Sequence, residues 1–154
     1  ALRFLALKGT ERVVDAYAGI GMLSARLAAA AEEVVCVEES PYSVRLGELN
    51  MQLNGCGNVR YRRGRVEEVL GALEGRIDAL VLDPPRAGCA AGAAEAVRKL
   101  APDRVVYISC EPSTLARDLA RLCEEKTYRL SQVALVDMFP QTYHIESVVK
   151  LERS

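Results

Sequence analysis

The sequence has little that would build a metal centre or a disulfide framework. Its 154 residues include one histidine, His144, and no tryptophan, and its five cysteines form no C-x-x-C pair. An odd number of cysteines without such spacing argues against a secreted, disulfide-bonded protein and favours a reducing, cytoplasmic setting. With a single histidine beside them, we also expect no metal site.

Two further absences concern membranes and polyanions. No apolar run approaches the roughly 20 residues that a membrane-spanning helix needs, and the charged first residues do not resemble a signal peptide. The net charge is −1, whereas a domain that binds nucleic acid by itself usually has a basic excess. A local cluster of arginines comprises Arg60, Arg62, Arg63 and Arg65. Either the substrate is not a polyanion, or the main surface that binds it lies outside this chain.

What is present is a regular alternation of strand-like and helix-like segments. The predicted strands cover residues 12–17, 33–38, 59–62, 77–83, 105–110, 128–136 and 145–151. The predicted helices cover residues 22–31, 42–53, 66–73, 92–100 and 114–124. Such alternation predicts an α/β domain over residues 1–154, with a Rossmann-like, doubly wound and mostly parallel seven-stranded sheet. The short connection at 137–144 fits a hairpin, so we expect the last strand to run antiparallel.

Two segments near the start indicate a nucleoside-containing cofactor. The first strand ends in Asp15-Ala16-Tyr17-Ala18-Gly19-Ile20-Gly21, and glycines at a strand–helix turn let a ligand approach the backbone closely. Glu38 ends the second strand, where an acid can accept hydrogen bonds from ribose hydroxyls. The simpler alternative for Glu38, which has Glu39 beside it, is a solvated strand end.

Two later strand ends also carry reactive groups. Asp83-Pro84-Pro85-Arg86 follows the fourth strand, and its prolines stiffen the loop that holds the Asp83 carboxylate. Cys110 lies at a strand–helix junction, where the positive end of the helix dipole favours a thiolate over a thiol. The alternatives are a plain rigid turn for Asp83 and a buried core cysteine for Cys110.

Together these segments resemble the catalytic domain of the RNA 5-methyluridine methyltransferases, S-adenosylmethionine-dependent enzymes that act on tRNA or ribosomal RNA. The matching pieces stand in family order and span nearly the whole chain: residues 15–21, Glu38, residues 83–88, residues 109–118 (SCEPSTLARD) and residues 137–146 (DMFPQTYHIE). The last two are highly specific, whereas the first is shared by most class I methyltransferases.

The resemblance implies a role for each matching residue. Those that line the cofactor are Tyr17, Gly19, Met22 and Glu38, with Glu38 on the ribose. Asp83 lies between the cofactor and the target base, Cys110 is the nucleophile and Glu146 is the general base.

The chemistry that the resemblance implies suits these residue types. Addition of the Cys110 thiolate to C6 of uracil turns the unreactive C5 into a nucleophile, which takes the methyl group of S-adenosylmethionine. Glu146 then removes the C5 proton and the thiolate leaves. The target base must be exposed from its loop or stack to reach such a pocket.

Departures from the family pattern raise specific questions. Glu111 stands where the family usually has asparagine, and a carboxylate there raises the pKa of the nucleophile unless it points away or pairs with Arg86 or Arg117. Arg65 stands where an amide or acid often meets the adenine. Arg86 and Arg117 either contact RNA phosphate or pair internally, and Arg117, beside Asp118, favours internal pairing.

Other expectations concern what surrounds the site. His144 lies two residues before Glu146, so it is expected to share its face of the strand and to support it structurally. The family's RNA-binding regions have no counterpart in these residues. We therefore expect a catalytic part of a longer protein, with the main RNA-binding regions elsewhere.

Two other functions are open at this point. An RNA cytosine-C5 methyltransferase would carry a cysteine where Pro85 stands and would lack the Glu146 motif. A non-catalytic S-adenosylmethionine-binding module would need neither Cys110 nor Glu146.

Overall fold

A seven-stranded sheet with helices on both faces forms the computed structural model, which describes residues 1–138, 140–142 and 145–154. The strands are β1 Arg12–Ala16, β2 Glu33–Glu38, β3 Val59–Arg63, β4 Ala79–Leu82, β5 Arg104–Ser109, β6 Tyr128–Val136 and β7 Glu146–Arg153. The helices are α1 Leu2–Leu5, α2 Met22–Ala28, α3 Pro41–Leu53, α4 Val66–Ala72, α5 Ala93–Leu100 and α6 Pro112–Leu122, followed by a 3-10 turn at Glu124–Lys126.

The strand order across the sheet is β3-β2-β1-β4-β5-β7-β6. Neighbouring strands from β3 to β5 pair in parallel, whereas β7 pairs antiparallel with both β5 and β6. The predicted fold class and the antiparallel last strand are therefore confirmed. The hairpin folds back so that β7, rather than β6, lies next to β5, and this brings Glu146 towards the end of β5.

Alternating side chains of the central strands pack into two cores on opposite faces. Leu80 and Leu82 of β4 contribute to the core beneath α4, α5 and α6. Ala79 and Val81 contribute to the core beneath α1, α2 and α3. All four residues of β4 are buried, as the apolar run predicted for a strand covered on both sides.

Differences from the predicted elements lie mainly at their ends. α6 begins at Pro112 rather than at 114, because Glu111 caps it. The four-residue α1 was not predicted, and tertiary contacts hold it: Leu5 is fully buried and the Arg104 guanidinium donates a hydrogen bond to the Ala6 carbonyl (3.1 Å). None of the helices in the described part of the chain has the length and apolar character needed to cross a membrane.

Candidate active site

The turn between β1 and α2 is the first candidate segment. Tyr17, Gly19 and Gly21 have positive φ angles of 65°, 53° and 81°. Glycine adopts this conformation without strain, whereas at Tyr17 it is a sparsely populated state that surrounding contacts must hold. The turn brings the Gly19 backbone beside the end of β2 and lets α2 begin at Met22.

Glu38, the last residue of β2, is held by two backbone N–H groups. Its Oε2 accepts a hydrogen bond from Gly19 N (2.9 Å), and its Oε1 accepts one from Ser40 N (2.8 Å). These bonds fix the carboxylate at the carboxyl end of the sheet, so Glu38 is not a freely solvated strand end. Each oxygen keeps further acceptor capacity for a ligand hydroxyl.

A cavity of about 540 Å³ opens at this end of the sheet. Three predicted residues line it: Tyr17, Glu38 and Asp83. Met22 is not among the lining residues, and its side chain is 71% exposed. Gly19 is not among them either, but its hydrogen bond joins it to Glu38. In open α/β sheets, ligands bind in such a crevice outside the strand ends.

The buried Tyr17 hydroxyl lies close to the Cys89 thiol and to the backbone of Ala90. It makes no hydrogen bond of good geometry with either of them or with any other described residue. Burial raises the pKa of the Tyr17 phenol, so the group stays neutral at physiological pH. A buried donor left unpaired costs about 1–3 kcal/mol, which an acceptor on a bound molecule would offset.

Another wall of the cavity comes from the segment before and within α4. Gly64, Arg65, Val66 and Glu67 line it. The Arg65 guanidinium pairs with the Glu67 carboxylate at 2.5 Å. Arg65 departs from the family pattern, but the Glu67 carboxylate neutralises its positive charge.

Asp83 lies where two cavities meet. Besides the larger cavity, it lines a smaller one of about 280 Å³. Glu146 lines the smaller cavity too, with the apolar side chains of Ile108, Val136, Met138 and Val148. Asp83 is itself exposed, but the atoms packed around its carboxyl exclude part of the water, and this desolvation, followed by the negative charge of Glu146, raises its pKa. Two carboxylates thus face a mostly apolar recess beside the larger cavity.

Strand pairing brings Cys110 and Glu146 together. β5 and β7 pair antiparallel, with Ser109 opposite Ser147. Cys110 directly follows Ser109 and Glu146 directly precedes Ser147, so both lie next to the last pair of the β5–β7 ladder, where partner Cα atoms are about 4.5–5.5 Å apart. The Cys110 thiol is free and half-buried, and Glu146 is half-buried as well. A potential nucleophile and a potential base therefore lie near the same end of this strand pair, although Cys110 lines neither cavity.

Glu111, the acid beside Cys110, caps helix α6. Its Oε1 accepts hydrogen bonds from Ser113 N (3.2 Å) and from Ser113 Oγ (2.8 Å). A carboxylate at this position interacts favourably with the positive end of the helix dipole. The carboxylate thus has a structural role at the helix start.

The two arginines near the site differ in their partners. Arg117 forms an ion pair with Asp118 (3.0 Å) and donates to the Ala87 carbonyl (2.8 Å), so its predicted internal pairing is confirmed. Arg86 is exposed, and its guanidinium has no hydrogen bond or ion pair to any residue that the structure describes.

The sequence patterns did not predict two buried acids near the candidate site. Asp15, which is 1% exposed, accepts a hydrogen bond from Ser24 Oγ (2.5 Å), and burial raises its pKa to about 6. Asp118, also 1% exposed, accepts one from Cys89 N (2.7 Å). Both acids lie inside family-like segments, which is the signal that could have identified them.

The predictions that there is no metal site and that His144 has a structural role stay predictions. No group of three or more His, Cys, Asp or Glu side chains within residues 1–138, 140–142 and 145–154 is placed to hold a metal ion. His144 lies outside the described residues, as do Phe139 and Tyr143 of the same segment.

Comparison with known sequences identifies the family. The family described as tRNA (uracil-5-)-methyltransferase matches residues 5–154. An uncharacterized RNA methyltransferase of Thermosynechococcus vestitus is 44% identical over 151 residues, which cover 98% of this chain and 34% of that protein. One of Halalkalibacterium halodurans is 46% identical over 155 residues, covering 99% and 34%. The chain thus spans about a third of the length of these relatives.

Solved structures agree in fold. The tRNA (uracil-54, C5)-methyltransferase of Pyrococcus abyssi, in complex with S-adenosyl-L-homocysteine, superposes with a TM-score of 0.83 and 30% identity. The match covers 97% of this chain and 36% of that one. The precorrin-6y C5,15-methyltransferase of Geobacter metallireducens has a TM-score of 0.81 at 16% identity, covering 99% and 86%, and this likeness concerns the fold alone. The chain belongs to the tRNA (uracil-5-)-methyltransferase family.

Proposed function

We propose that these residues are the catalytic domain of an RNA methyltransferase that transfers a methyl group from S-adenosylmethionine to C5 of a uridine in tRNA or ribosomal RNA. The observation that supports the proposal is the register of β5 and β7, in which Ser109 lies opposite Ser147, because Cys110 and Glu146 are the next residues beyond this pair. Cofactor binding alone needs neither residue. Since the chain spans about a third of its relatives, the main RNA-binding regions are proposed to lie outside it.

The cavity of about 540 Å³ fits the nucleoside part of S-adenosylmethionine. Glu38 is fixed with spare acceptor capacity for the ribose hydroxyls, and the unpaired Tyr17 hydroxyl is available to a polar group of the same molecule. When bound, S-adenosylmethionine supplies a methyl group on a positively charged sulfonium. Asp83 stands between this cavity and the smaller recess.

The smaller recess is proposed to hold the uracil. Its apolar side chains, Ile108, Val136, Met138 and Val148, suit a flat base, and its two carboxylates supply polar contacts. A base buried in an RNA stem or loop must be turned out to reach it, which has an energetic cost of a few kcal/mol.

The proposed reaction begins and ends at Cys110. Its thiolate forms a bond to C6 of the uracil, and the electron pair of the C5–C6 double bond moves onto C5, which becomes the nucleophile. When C5 takes the methyl group, the bond between the methyl carbon and the sulfonium sulfur breaks and a neutral thioether leaves; Glu146 then takes the C5 proton. The pair left by that proton restores the double bond, and the bond between sulfur and C6 breaks.

RNA containing 5-fluorouridine tests this proposal, because fluorine at C5 cannot leave as a proton. With S-adenosylmethionine present, we expect a stable covalent complex on a denaturing gel, with the RNA attached to the peptide that contains Cys110. Cys110→Ala should abolish it, whereas the matched variant Cys123→Ala, at the far end of α6, should retain it. A covalent complex formed by Cys110→Ala would overturn the assignment.

The same gel separates the alternatives. Trapping on RNA with 5-fluorocytidine, and none with 5-fluorouridine, would indicate a cytosine-C5 enzyme. In the longer protein that carries the RNA-binding regions, binding of S-adenosylhomocysteine without a covalent complex on either RNA would favour the non-catalytic module.

A further inference from the structure

Helix α6 holds the loop that follows β4 at three points. The hydrogen bonds run from Thr114 Oγ1 to the Arg86 carbonyl (3.0 Å), from Arg117 Nη2 to the Ala87 carbonyl (2.8 Å) and from Cys89 N to Asp118 Oδ2 (2.7 Å). Positions 114, 117 and 118 are three and four residues apart, so they lie on one side of the helix. That side of α6 therefore makes hydrogen bonds to residues 86, 87 and 89 of the loop.

Asp118 is the centre of this contact. Its Oδ2 accepts hydrogen bonds from Cys89 N and from the Tyr107 hydroxyl, both at 2.7 Å, and its Oδ1 accepts one from Arg117 Nε at 3.0 Å. The side chain is 1% exposed. A buried carboxylate with this many donors has one well-defined position, because any displacement leaves buried polar groups unpaired.

The loop approaches Asp118 so closely that only glycine fits at position 88. Gly88 has a φ of +78°, and a Cβ atom there would lie 2.5 Å from both Asp118 Oδ2 and Arg117 Nη2. The contact therefore leaves no room for the loop to shift towards the helix.

This contact links two parts of the proposed reaction: the cavity for the cofactor and the nucleophile. The loop begins at Asp83 and lines the larger cavity with Pro85, Ala87, Gly88 and Cys89. The helix that holds it begins directly after Cys110 and its neighbour Glu111. Helix α6 thus contacts the wall of the proposed cofactor cavity and also begins next to the proposed nucleophile.

We propose that Asp118 is a positioning residue, which fixes the loop of residues 85–90 against α6 and so sets the nucleophile relative to the bound cofactor. This inference rests on the function proposed above. Asp118 need not contact cofactor or RNA, since it acts through the loop and the helix.

The test compares two variants of this contact with a matched control. Asp118→Asn keeps the shape but removes the charge that holds Arg117. Tyr107→Phe removes one donor to Asp118. The control is Tyr128→Phe, which removes the hydroxyl of an equally buried tyrosine whose bond, to the Pro102 carbonyl (2.9 Å), lies away from the loop.

Two readouts use the 154-residue chain without RNA. One is the affinity for S-adenosylhomocysteine by calorimetry. The other is the rate of Cys110 alkylation by iodoacetamide, followed by mass spectrometry with and without saturating S-adenosylhomocysteine. In the parent protein we expect the ligand to slow alkylation, because it holds the loop and hence the start of α6.

Asp118→Asn should weaken binding about tenfold, the size expected for losing one hydrogen bond to a charged group. It should also remove most of the protection of Cys110 at saturating ligand. Tyr107→Phe should show the same changes in smaller measure, and Tyr128→Phe should resemble the parent in both readouts even if it unfolds at a lower temperature. A purely structural Asp118 would lower the unfolding temperature and leave protection unchanged.

Parent-like affinity and protection in Asp118→Asn would overturn the inference, and so would a parent protein that shows no protection. If Asp118→Asn does not fold, as judged by circular dichroism, Tyr107→Phe decides in the same way. Neither readout involves methyl transfer or RNA. A failed 5-fluorouridine experiment would therefore refute the proposed reaction, whereas unchanged protection would refute the role of Asp118.

Discussion

The sheet has two parts that hold their candidate residues in different ways. One part consists of β1, β2 and β4, and the other consists of β5, β7 and β6. Tyr17, Glu38 and Asp83 follow parallel strands and converge because those strands end at one edge of the sheet. Cys110 and Glu146 flank the last pair, Ser109 and Ser147, of an antiparallel ladder. The proposed binding and chemistry therefore rest on different strand contacts, so a substitution of a residue that contacts only one ligand can affect one of them alone, whereas the contact between α6 and the loop after β4 links the two.

The two halves also differ in how well they are covered. Every residue of β4 is buried, whereas the edge strand β6 exposes Leu130, Val133 and Leu135 to 50%, 53% and 63%. Strands with little buried apolar contact open at low free energy. We infer that the hairpin carrying Glu146 is less stable than the cofactor half, so its geometry is the more sensitive to substitution.

Cys110→Ala should have the largest effect, and it should reduce methyl transfer without changing cofactor affinity. Methyl transfer to RNA should fall by roughly 10⁴-fold or more, as when other enzymes lose a nucleophile or its partner. Affinity for S-adenosylhomocysteine, measured by calorimetry, should stay within about twofold because the Cys110 thiol is not in the cavity wall. Equal losses of both would contradict the separation of the halves.

Glu146→Gln should come next, with methyl transfer reduced by about 10²- to 10⁴-fold, the range for losing a general base. Addition of Cys110 and methylation do not require this base, but release of the product does. Ordinary uridine RNA should therefore accumulate as a methylated covalent complex, detectable by denaturing gel and mass spectrometry. A variant that is slow but accumulates no complex would argue that Glu146 acts before the methyl group arrives.

Glu38→Ala should weaken S-adenosylhomocysteine binding by roughly 10- to 100-fold, since it removes the proposed charge-assisted hydrogen bonds to the ligand and the observed one from Gly19 N. With cofactor at saturation, trapping of Cys110 on 5-fluorouridine RNA should still occur. Glu32→Ala is the matched control, because Glu32 is an exposed acid just before β2 that does not line the cavity. Unchanged affinity in Glu38→Ala would remove Glu38 from the cofactor site.

Asp15→Asn should have the smallest effect, on stability in the cofactor half. Burial raises the pKa of Asp15 from 3.8 to about 6, so the unfolded chain binds fewer protons than the folded one between those values. The stability that Asp15 contributes is then complete below about pH 4 and lost as pH rises through about 6. At pH 7 the variant should be about 3 kcal/mol more stable than the parent, since each pKa unit corresponds to about 1.4 kcal/mol.

Urea unfolding at pH 4, 5, 6 and 7 measures this difference. The parent should lose stability relative to Asp15→Asn over that range, and the two should converge near pH 4. Parallel curves would indicate that the Ser24 hydrogen bond fully compensates the buried charge.

Much of the fold was predictable because its signals are local. Alternating apolar residues and turn residues predicted every strand, including the boundaries of β6 at Tyr128–Val136. α1 was missed because four residues are too few to show a helical period. α6 begins two residues earlier than predicted, since the capping contribution of Glu111 is weaker in sequence than that of Ser or Asp.

The candidate site was predictable in part. Strand-end placement brought Tyr17, Glu38 and Asp83 to one cavity, as expected from the topology of parallel sheets. The exposure of Met22 was not predicted, because a residue's place in a motif does not state which way its side chain points. The predicted face of His144 stays a prediction.

By itself, the sequence determined the type of sheet, the family and the candidate residues for the chemistry, because hydrophobic period and motif order are properties of contiguous residues. Only the tertiary structure decided that Ser109, next to Cys110, pairs with Ser147, next to Glu146, that Asp15 is buried with a raised pKa, and that Asp118 joins α6 to the Asp83 loop. Strand register and desolvation depend on residues far apart in the chain, and no local pattern specifies them.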